Sequence, residues 1–254
     1  MSRAWQSFVA SDLKWTLLTL VVAAIAWQVA ATAMNSISVP TFSETAVAIP
    51  RLLADPVLWQ AMLISNQSMV IGFAISLAIG LPLGLFMGRF RFAEKVFDPY
   101  LNIILVAPMA MLIPLLIFSV GIGLASRVIL VVLFSFVVIS VNTRAGVRQV
   151  DPALIEMGRS FGASERLLWW RIILRAAMPS VIAGLRLGLS RAVAGMVIVE
   201  LLMVSVGLGG LILRFRGFFQ ADLLMATVVI IVLEVSILLS ILAWIERRLI
   251  PWAR

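Results

Sequence analysis

Several stretches of this chain are long, apolar and free of charge, and no other feature constrains the fold as strongly. Residues 15–34, 68–88 and 100–120 contain no Asp, Glu, Lys or Arg. About 20 such residues cross the roughly 30 Å hydrocarbon core of a bilayer. The chain is 63% hydrophobic and 13% charged, whereas about 25% of the residues of a soluble domain are charged. The sequence therefore predicts an all-α membrane protein.

The chain contains neither His nor Cys, which excludes several classes of site. A Ser-His-Asp triad, a Cys-His pair and a His general base each need one of these residues. Thiolate and imidazole metal sites and disulfides are excluded for the same reason. We expect no catalytic residue, no metal site and no cofactor in this chain, and an intramembrane hydrolase is disfavoured.

Charges and turn residues divide the chain into six predicted transmembrane helices. They cover residues 15–34, 68–88, 100–120, 128–141, 179–202 and 223–244. Ala31-Thr32-Ala33 resembles a signal-peptidase site, but the first run exceeds the 7–15 residues of a signal h-region, so we interpret it as a retained helix. Asp98-Pro99 is typical of an N-cap and a first helical residue, and it is predicted to open the third span. Ser43 is predicted to cap a short surface helix.

The distribution of Lys and Arg predicts the orientation, because cytoplasmic loops carry an excess of both. With both termini inside, the inner segments hold Arg3, Lys14, Arg89, Arg91, Lys95, Arg144, Arg148, Arg159, Arg166, Arg171, Arg175, Arg247, Arg248 and Arg254. The outer segments hold only Arg51, Arg127, Arg214 and Arg216. This bias predicts an N-in, C-in protein, with residues 1–14 as a cytoplasmic segment and 15–252 as the transmembrane domain. It also accounts for the net charge of +8, so we expect no nucleic-acid partner.

One inner loop, residues 142–178, is far longer than the others. Asp151-Pro152 is typical of a helix start, and Gly162 is placed to end that helix in a left-handed conformation. Ser164 is predicted to cap a second helix, which Pro179 is predicted to end. After the predicted helix start at Asp151-Pro152, apolar residues recur at near-helical spacing and give the helix one apolar stripe: Ala153, Leu154, Met157 and Phe161. Two interpretations stay open: an amphipathic hairpin on anionic lipid headgroups, or a knob that docks a soluble partner.

The loop resembles the EAA loop, E-A-A-x-x-x-G-x9-I-x-L-P, of the membrane permease subunits of bacterial ATP-binding-cassette importers. The matching positions are Glu156, Gly162, Ile172 and Leu174. Met157 and Gly158 replace the two alanines, and Arg175 replaces the proline. Further segments resemble the nitrate, sulfonate and taurine branch of that family: Phe97-Asp98-Pro99, 114–116, 121–123, 142–148, 150–152, 183–186, Gly207-Leu208-Gly209 and Glu246-Arg247-Arg248.

The resemblance implies a fold, a set of partners and a location. It implies the six-span type I importer permease fold in the bacterial cytoplasmic (inner) membrane, with a second permease copy as a homodimer. It also implies two cytoplasmic ATPase subunits, which bind ATP and magnesium, and an external substrate-binding protein. The residues that the resemblance assigns to ATPase coupling are Glu156, Arg159, Phe161, Gly162, Ala163 and Ser164. The substrate expected from the branch is a small anion such as a sulfonate, nitrate, taurine or an aromatic carboxylate.

Hydrolysis of ATP is not expected of this chain itself. A P-loop needs Gly-Lys-Ser/Thr, but the two lysines, Lys14 and Lys95, follow Leu13 and Glu94. The competing interpretation is a channel or ion-coupled carrier without an ATPase partner. Such a carrier has no use for a helix–glycine–helix knob, and it usually carries acidic residues near mid-membrane, where only Glu234 qualifies.

The sequence also offers candidates for a translocation path: Pro108, Met109, Met111, Pro114, Arg186, Glu200 and Glu234. Prolines bend a membrane helix where neighbours or a cavity satisfy the freed backbone, and ionisable residues within spans are costly. Glu234 is predicted to pair internally, with Arg186 or Arg191 as the suggested partner. Plain kinked packing accounts for the prolines and methionines of the third span equally well. For Glu200, the simpler explanation is a solvated position near the outer rim.

Small residues recur at every fourth position in the second and fifth spans. They are Gly72, Ser76, Gly80, Gly84 and Gly88 in the second span, and Ser180, Gly184, Gly188 and Ala192 in the fifth. Such faces allow helix backbones to approach closely in lipid. We favour packing within one chain over a homodimer seam.

Overall fold

The computed structural model describes residues 3–203 and 205–249, with side chains from residue 14 to 248, and the secondary structure of this part is helical. Its α-helices are α1 (Arg3–Met34), α2 (Phe42–Leu53), α3 (Pro56–Arg89), α4 (Arg91–Val106), α5 (Leu112–Val120), α6 (Leu124–Arg148), α7 (Pro152–Ser160), α8 (Glu165–Leu167), α9 (Leu174–Leu202), α10 (Gly207–Gly217) and α11 (Ala221–Leu249). A short 3₁₀-helix, Met109–Met111, precedes α5, and a π-helix, Leu168–Ile173, joins α8 to α9.

Five helical stretches are long and apolar enough to cross a membrane, by length and composition, among the described residues. They are Lys14–Met34, Pro56–Arg89, Leu124–Arg148, Glu165–Leu202 and Ala221–Arg248. A sixth candidate is the pair Arg91–Val106 and Met109–Val120, whose two halves are bent by 84°. The predicted multi-pass helical architecture is therefore confirmed, with five or six candidate spans. The predictions for residues 1, 2 and 250–254, and for the side chains of 1–13, lie outside the described residues.

The described residues form two compact units, one within 1–59 and 211–231 and the other within 60–210 and 232–254. In the first unit, α1 is held to the start of α2 by local polar contacts. Trp27 Nε1 donates a 3.0 Å hydrogen bond to the carbonyl of Pro40, and the backbone N–H of Ser43 donates to Gln28 Oε1 at 3.0 Å. The prediction that Ser43 caps α2 was wrong, because Thr41 is the N-cap.

The N-cap of α2 is a reciprocal capping box. Thr41 Oγ1 accepts from the N–H of Glu44 at 3.2 Å, and the Glu44 carboxylate accepts from the N–H of Thr41 at 2.8 Å. The hydrogen bond from the backbone N–H of Thr41, followed by the one from its side chain, holds the pKa of the Glu44 carboxyl below its usual value, because both stabilise the ionised form.

In the second unit, α6 packs between α3 and α9 along their small residues. A Cβ at Gly84 would lie 2.6 Å from the carbonyl oxygen of Ser140, and a Cβ at Gly188 would lie 2.5 Å from Ile139 Cγ1. Gly146 on α6 approaches Ser180 in the same way. The two small-residue stripes are therefore used inside the chain, as favoured above, because only residues without bulk allow the backbones to come so close.

The third predicted span differs most from expectation. Asp98 and Pro99 lie inside α4, whose N-cap is Phe90, so the predicted start at Asp98-Pro99 was wrong. Asp98 instead accepts a hydrogen bond from Arg144 on α6, and Arg144 also lies 3.9 Å from Glu94. The predicted bend does occur, because the α-helical backbone breaks between Ala107 and Pro108, both extended. Pro114 lies in the first turns of α5.

The predicted inner loop is shorter than residues 142–178. Residues 142–148 belong to α6, and the helix that begins at Glu165 continues through the π-helix into α9 without a break. Pro179 lies inside α9, so the prediction that it ends a helix was wrong. A proline in a helix removes one backbone donor, and a membrane helix tolerates this where its neighbours satisfy the freed groups.

Candidate functional site

The corner element, residues 151–164, consists of α7 and the turn that follows it. At its start, the Asp151 side chain accepts a 2.9 Å hydrogen bond from the N–H of Ala153, and Pro152 is the first helical residue. The predicted helix start is confirmed. The Asp151 cap satisfies one of the free N–H groups of the first turn. Proline as the first helical residue removes another, because it has no N–H.

The end of α7 is a Schellman motif built around Gly162. This residue has φ +73°, its N–H donates to the carbonyl of Arg159 at 2.9 Å, and the N–H of Ala163 donates to the carbonyl of Gly158 at 3.0 Å. Ser164 then caps the next helix by accepting from the N–H of Leu167 at 3.4 Å. The left-handed glycine and the serine cap are both confirmed. Together they fix the angle between α7 and α8.

The inner face of α7 packs closely against the π-helix. A Cβ at Gly158 would lie 2.5 Å from Ile172 Cδ1 and 2.6 Å from Leu168 Cδ2. The glycine that replaces a motif alanine therefore allows this close approach. Ile155 packs beside it on a buried cluster that includes Val147 and Ile173. The corner element is thus anchored to the second unit on one side only.

The outer face of the corner element is uncovered and mostly apolar. Leu154 and Met157 are exposed, and Phe161 at the tip is 85% exposed. The predicted coupling residues Glu156, Arg159, Phe161, Gly162 and Ser164 are exposed here, while Ala163 is half-buried. Arg159 Nη2 lies 3.1 Å from Glu165 Oε1. Since both side chains are exposed, this pair contributes at most about 1 kcal/mol.

A second candidate region lies at the bend between α4 and α5. A cavity of about 220 Å³ is lined there by Ile104, Ala107, Met109, Phe134, Val138 and Arg191. Met109 is the predicted path residue that lines it, whereas Pro108, Met111 and Pro114 are exposed beside it. Sequence analysis did not place Arg191 in a path. The feature that could have indicated it is its charge, because a charged residue within a predicted span is costly and often functional.

The other predicted path residues lie apart from this cavity. Glu234 does pair internally, as predicted, but its partner is Asn66, whose Nδ2 donates to Glu234 Oε1. The suggested arginine partner was wrong, since Arg186 pairs with Glu246. The structure therefore does not bring Glu200, Glu234 and Arg186 together on the cavity.

Glu200 is fully buried, so the rim explanation was wrong. Its carboxylate accepts from Ser65 Oγ at 2.8 Å and from the N–H of Gly209 at 3.0 Å, and it lies 3.7 Å from Arg127 Nη1. Ser65 Oγ also accepts from the N–H of Leu208 at 2.9 Å. This polar cluster ties the end of α9 to α3, α6 and the start of α10. Sequence analysis missed Ser65 and Arg127, because their partners are far apart in the chain.

Residues 80–254 match the family described as "Binding-protein-dependent transport system inner membrane component". The chain belongs to this family. It is thus an inner-membrane, multi-pass permease, and the resemblance that the EAA-like loop indicated is confirmed at the level of the family.

Relatives of this permease are named as transport permeases. A protein of Escherichia coli K12 provisionally named an aliphatic sulfonates transport permease, SsuC, is 33% identical over 232 residues, covering 90% of this chain and 86% of its own. The riboflavin transport system permease protein RibX of Chloroflexus aurantiacus is 32% identical, covering 92% and 88%. The taurine transport system permease protein TauC of Escherichia coli K12 is 28% identical, covering 81% and 75%.

Solved structures share the fold of this permease. A chain of the MetNI methionine transporter, in an inward-facing conformation, superposes with a TM-score of 0.58 and 19% identity, covering 77% of the permease and 93% of that chain. A chain of an amino acid transporter crystallised with histidines superposes with a TM-score of 0.57 and 17% identity, covering 76% of the permease and 94% of that chain. The importer permease fold is therefore confirmed.

Proposed function

We propose that this permease forms the membrane pathway of an ATP-driven importer and that the corner element couples the pathway to a separate ATPase subunit. The observation that carries the proposal is the exposed apolar face of a short helix whose start and end are both fixed by caps. A contiguous apolar patch on a rigid support is a protein interaction surface. The family resemblance implies two ATPase subunits, which would supply ATP and magnesium.

We propose further that six spans place both termini and the corner element in the cytoplasm. The bent pair α4–α5 is counted as one span in this arrangement. The positive-inside bias supports this orientation, because the corner element and its flanks carry six arginines: Arg144, Arg148, Arg159, Arg166, Arg171 and Arg175. An ATPase can reach the corner element only on that side of the membrane.

A second permease copy would complete the pathway in our proposal. In a single chain, the cavity at the bend is lined by Met109 and Arg191, while the predicted path residues Glu200 and Glu234 point to other partners. Membrane pathways that open alternately to each side commonly lie between two packed halves. We therefore propose alternating access at the interface of a homodimer, driven through the two corner elements.

We propose a small anion as the transported solute, delivered by an external binding protein. Arg191 supplies a guanidinium at the cavity, and guanidinium groups pair with sulfonates and carboxylates. Relatives named for aliphatic sulfonates and taurine support this class, whereas the relative named for riboflavin shows that substrates differ at similar identity. Among anions, a sulfonate such as taurine is the first candidate to test.

Reconstitution tests this proposal against a channel or ion-coupled carrier. The permease would be assembled in proteoliposomes with its ATPase and binding protein, and uptake of radiolabelled taurine and other sulfonates would be measured with and without ATP. We expect uptake of a sulfonate only when ATP, ATPase and binding protein are all present. Uptake that persists without the ATPase, at the same rate, would support the carrier and contradict the proposal.

A further inference from the structure

A cavity of about 380 Å³ lies between the last turns of α3 and the helix that follows the corner element. Its residues divide into two chemical groups. One wall is apolar and is formed by Leu85, Phe86, Trp170 and Leu174, while Arg89 and Arg166 supply two guanidinium groups. No Asp or Glu among the described side chains lines the cavity. It is therefore amphipathic, with a net charge of about +2 from these two arginines at neutral pH.

The two arginines lack anionic partners within the described residues. Arg144, Arg148, Arg159 and Arg186 each pair with a carboxylate, but Arg89 and Arg166 form no ion pair there. The guanidinium of Arg89 instead lies 4.6 Å from the centre of a Trp169 ring, against which it stacks. Stacking holds the side chain in place while its donors stay available to an anion.

The position of the cavity selects an amphipathic ligand. Arg89 is the last residue of the candidate span Pro56–Arg89, and Leu85 and Phe86 lie one turn further into that span. A ligand that fills the cavity therefore extends from the charged end of this helix, at Arg89, toward its uncharged stretch, residues 68–88. Because an uncharged stretch of this length is the part of α3 expected to face lipid, a ligand with an apolar chain fits the cavity better than a wholly polar solute.

The helix geometry at this place is also unusual. The π-helix Leu168–Ile173 carries Trp169 and Trp170, both of which line the cavity, and Trp170 is exposed. Single π-helical turns are rare and often occur at functional sites. Tryptophan is enriched at membrane interfaces, because its ring is apolar and its N–H is polar. The π-helix thus places two tryptophans beside the charged end of the candidate span Pro56–Arg89.

From this geometry we propose that the cavity is a binding site for an anionic phospholipid. The phosphate lies between Arg89 and Arg166, and an acyl chain follows Leu85, Phe86 and Leu174. A zwitterionic lipid is disfavoured, because its ammonium or choline group would meet two uncompensated cations. The inference does not depend on the proposed coupling to an ATPase.

Native mass spectrometry of the purified full-length permease, with its partner subunits, tests this site. Phosphatidylglycerol and phosphatidylcholine with the same acyl chains would be titrated in a neutral detergent, and the apparent Kd of the tightest-bound lipid would be measured. An arginine close to the headgroup of an anionic lipid contributes about 1 kcal/mol to its binding, or about fivefold in Kd. We expect the double variant Arg89→Gln, Arg166→Gln to bind phosphatidylglycerol roughly 30-fold more weakly.

A matched control separates a built site from surface charge. Arg91 is exposed two residues from Arg89 and does not line the cavity, so Arg91→Gln should change the Kd less than twofold. Trp170→Ala should weaken binding of phosphatidylglycerol through loss of the apolar wall. Equal loss in Arg91→Gln and Arg89→Gln, equal binding of phosphatidylcholine, or displacement of the lipid by millimolar inorganic phosphate would each overturn the proposal. So would unchanged binding to the double variant.

Discussion

Replacement of Gly162 gives the sharpest perturbation of the corner element. Its φ of +73° lies in the left-handed region, and a Cβ there would meet no atom within 4 Å. The cost of Gly162→Val is therefore conformational and not steric crowding by neighbours. A residue with a Cβ loses about 1–2 kcal/mol in this region, and a β-branched residue is disfavoured further.

The structure gives the size of the expected effect. If valine leaves the left-handed region, the corner loses two backbone hydrogen bonds, those of Gly162 and Ala163. Each contributes about 1 kcal/mol net, so either route costs about 2 kcal/mol. That shifts the equilibrium from the ordered to the opened corner roughly 30-fold. The membrane helices are untouched, because nothing packs on the substituted position.

The assay is ATP-driven uptake in proteoliposomes, together with co-purification of the ATPase subunit. Gly162→Val should lose most uptake and ATPase binding while its thermal stability in detergent changes little. Gly162→Asn should retain most of both, because Asn tolerates the left-handed region. Gly217→Val is a control at an open glycine with no positive φ. The reasoning is refuted if Gly162→Val docks and transports like the wild type, or if Asn is as damaging as Val.

Three further predictions concern stability. Gly84→Val should lower the melting temperature in detergent, at a cost of about 1–3 kcal/mol, because its Cβ meets a carbonyl of α6 at 2.6 Å, whereas Gly217→Val should not. Glu200→Gln should lower the free energy of unfolding by about 3 kcal/mol, because it leaves buried Arg127 without its counter-charge. Glu246→Gln, at an exposed pair, should lower it by at most about 1 kcal/mol. Thermal melting in detergent compares the two variants. Because folding lowers the pKa of Glu44, its cap is fully formed above the usual value of about 4.5 and is lost as the pH falls through the folded value. The protection factors of the α2 amides, which correct for the pH dependence of intrinsic exchange, should fall as the pH drops through that value, and Glu44→Gln should abolish this fall.

The parts of the site that sequence predicted are those specified by neighbouring residues. Asp151-Pro152, Gly162 and Ser164 each act on backbone groups within three residues of themselves. Capping and left-handed turns are local chemistry, so the pattern was sufficient to place both ends of the corner element.

Helix boundaries within the membrane were predicted less well. Asp98-Pro99 and Pro179 lie inside helices. In a soluble protein, Asp-Pro is typical of a helix start, and a proline such as Pro179 is typical of a helix end. In a membrane-spanning helix, the surrounding helices and side chains satisfy what proline frees, so the local signal is overridden. The sequence around Pro108 also did not indicate that the bend reaches 84°.

Contacts between distant residues could not be predicted from the sequence alone. Glu200 meets Ser65, which lies 135 positions earlier, and Glu234 meets Asn66, which lies 168 positions earlier. Because burying a charged group in a membrane protein is costly, the sequence indicates only that each of these carboxylates needs a partner. Which partner it finds depends on the packing of α3 against the later helices, which the apolar patterns leave open.

The central claim is that the corner element docks an ATPase subunit. The chain contains no Cys, so Met157→Cys introduces a single thiol on the exposed face of α7, and Phe118→Cys introduces one on α5, where Phe118 is 92% exposed. Each variant would be labelled with a benzophenone maleimide in the assembled transporter and irradiated. The account predicts an adduct of this chain with one ATPase subunit from Met157→Cys and none from Phe118→Cys. Adducts of Met157→Cys with lipid alone, or equal ATPase adducts from both positions, would contradict it.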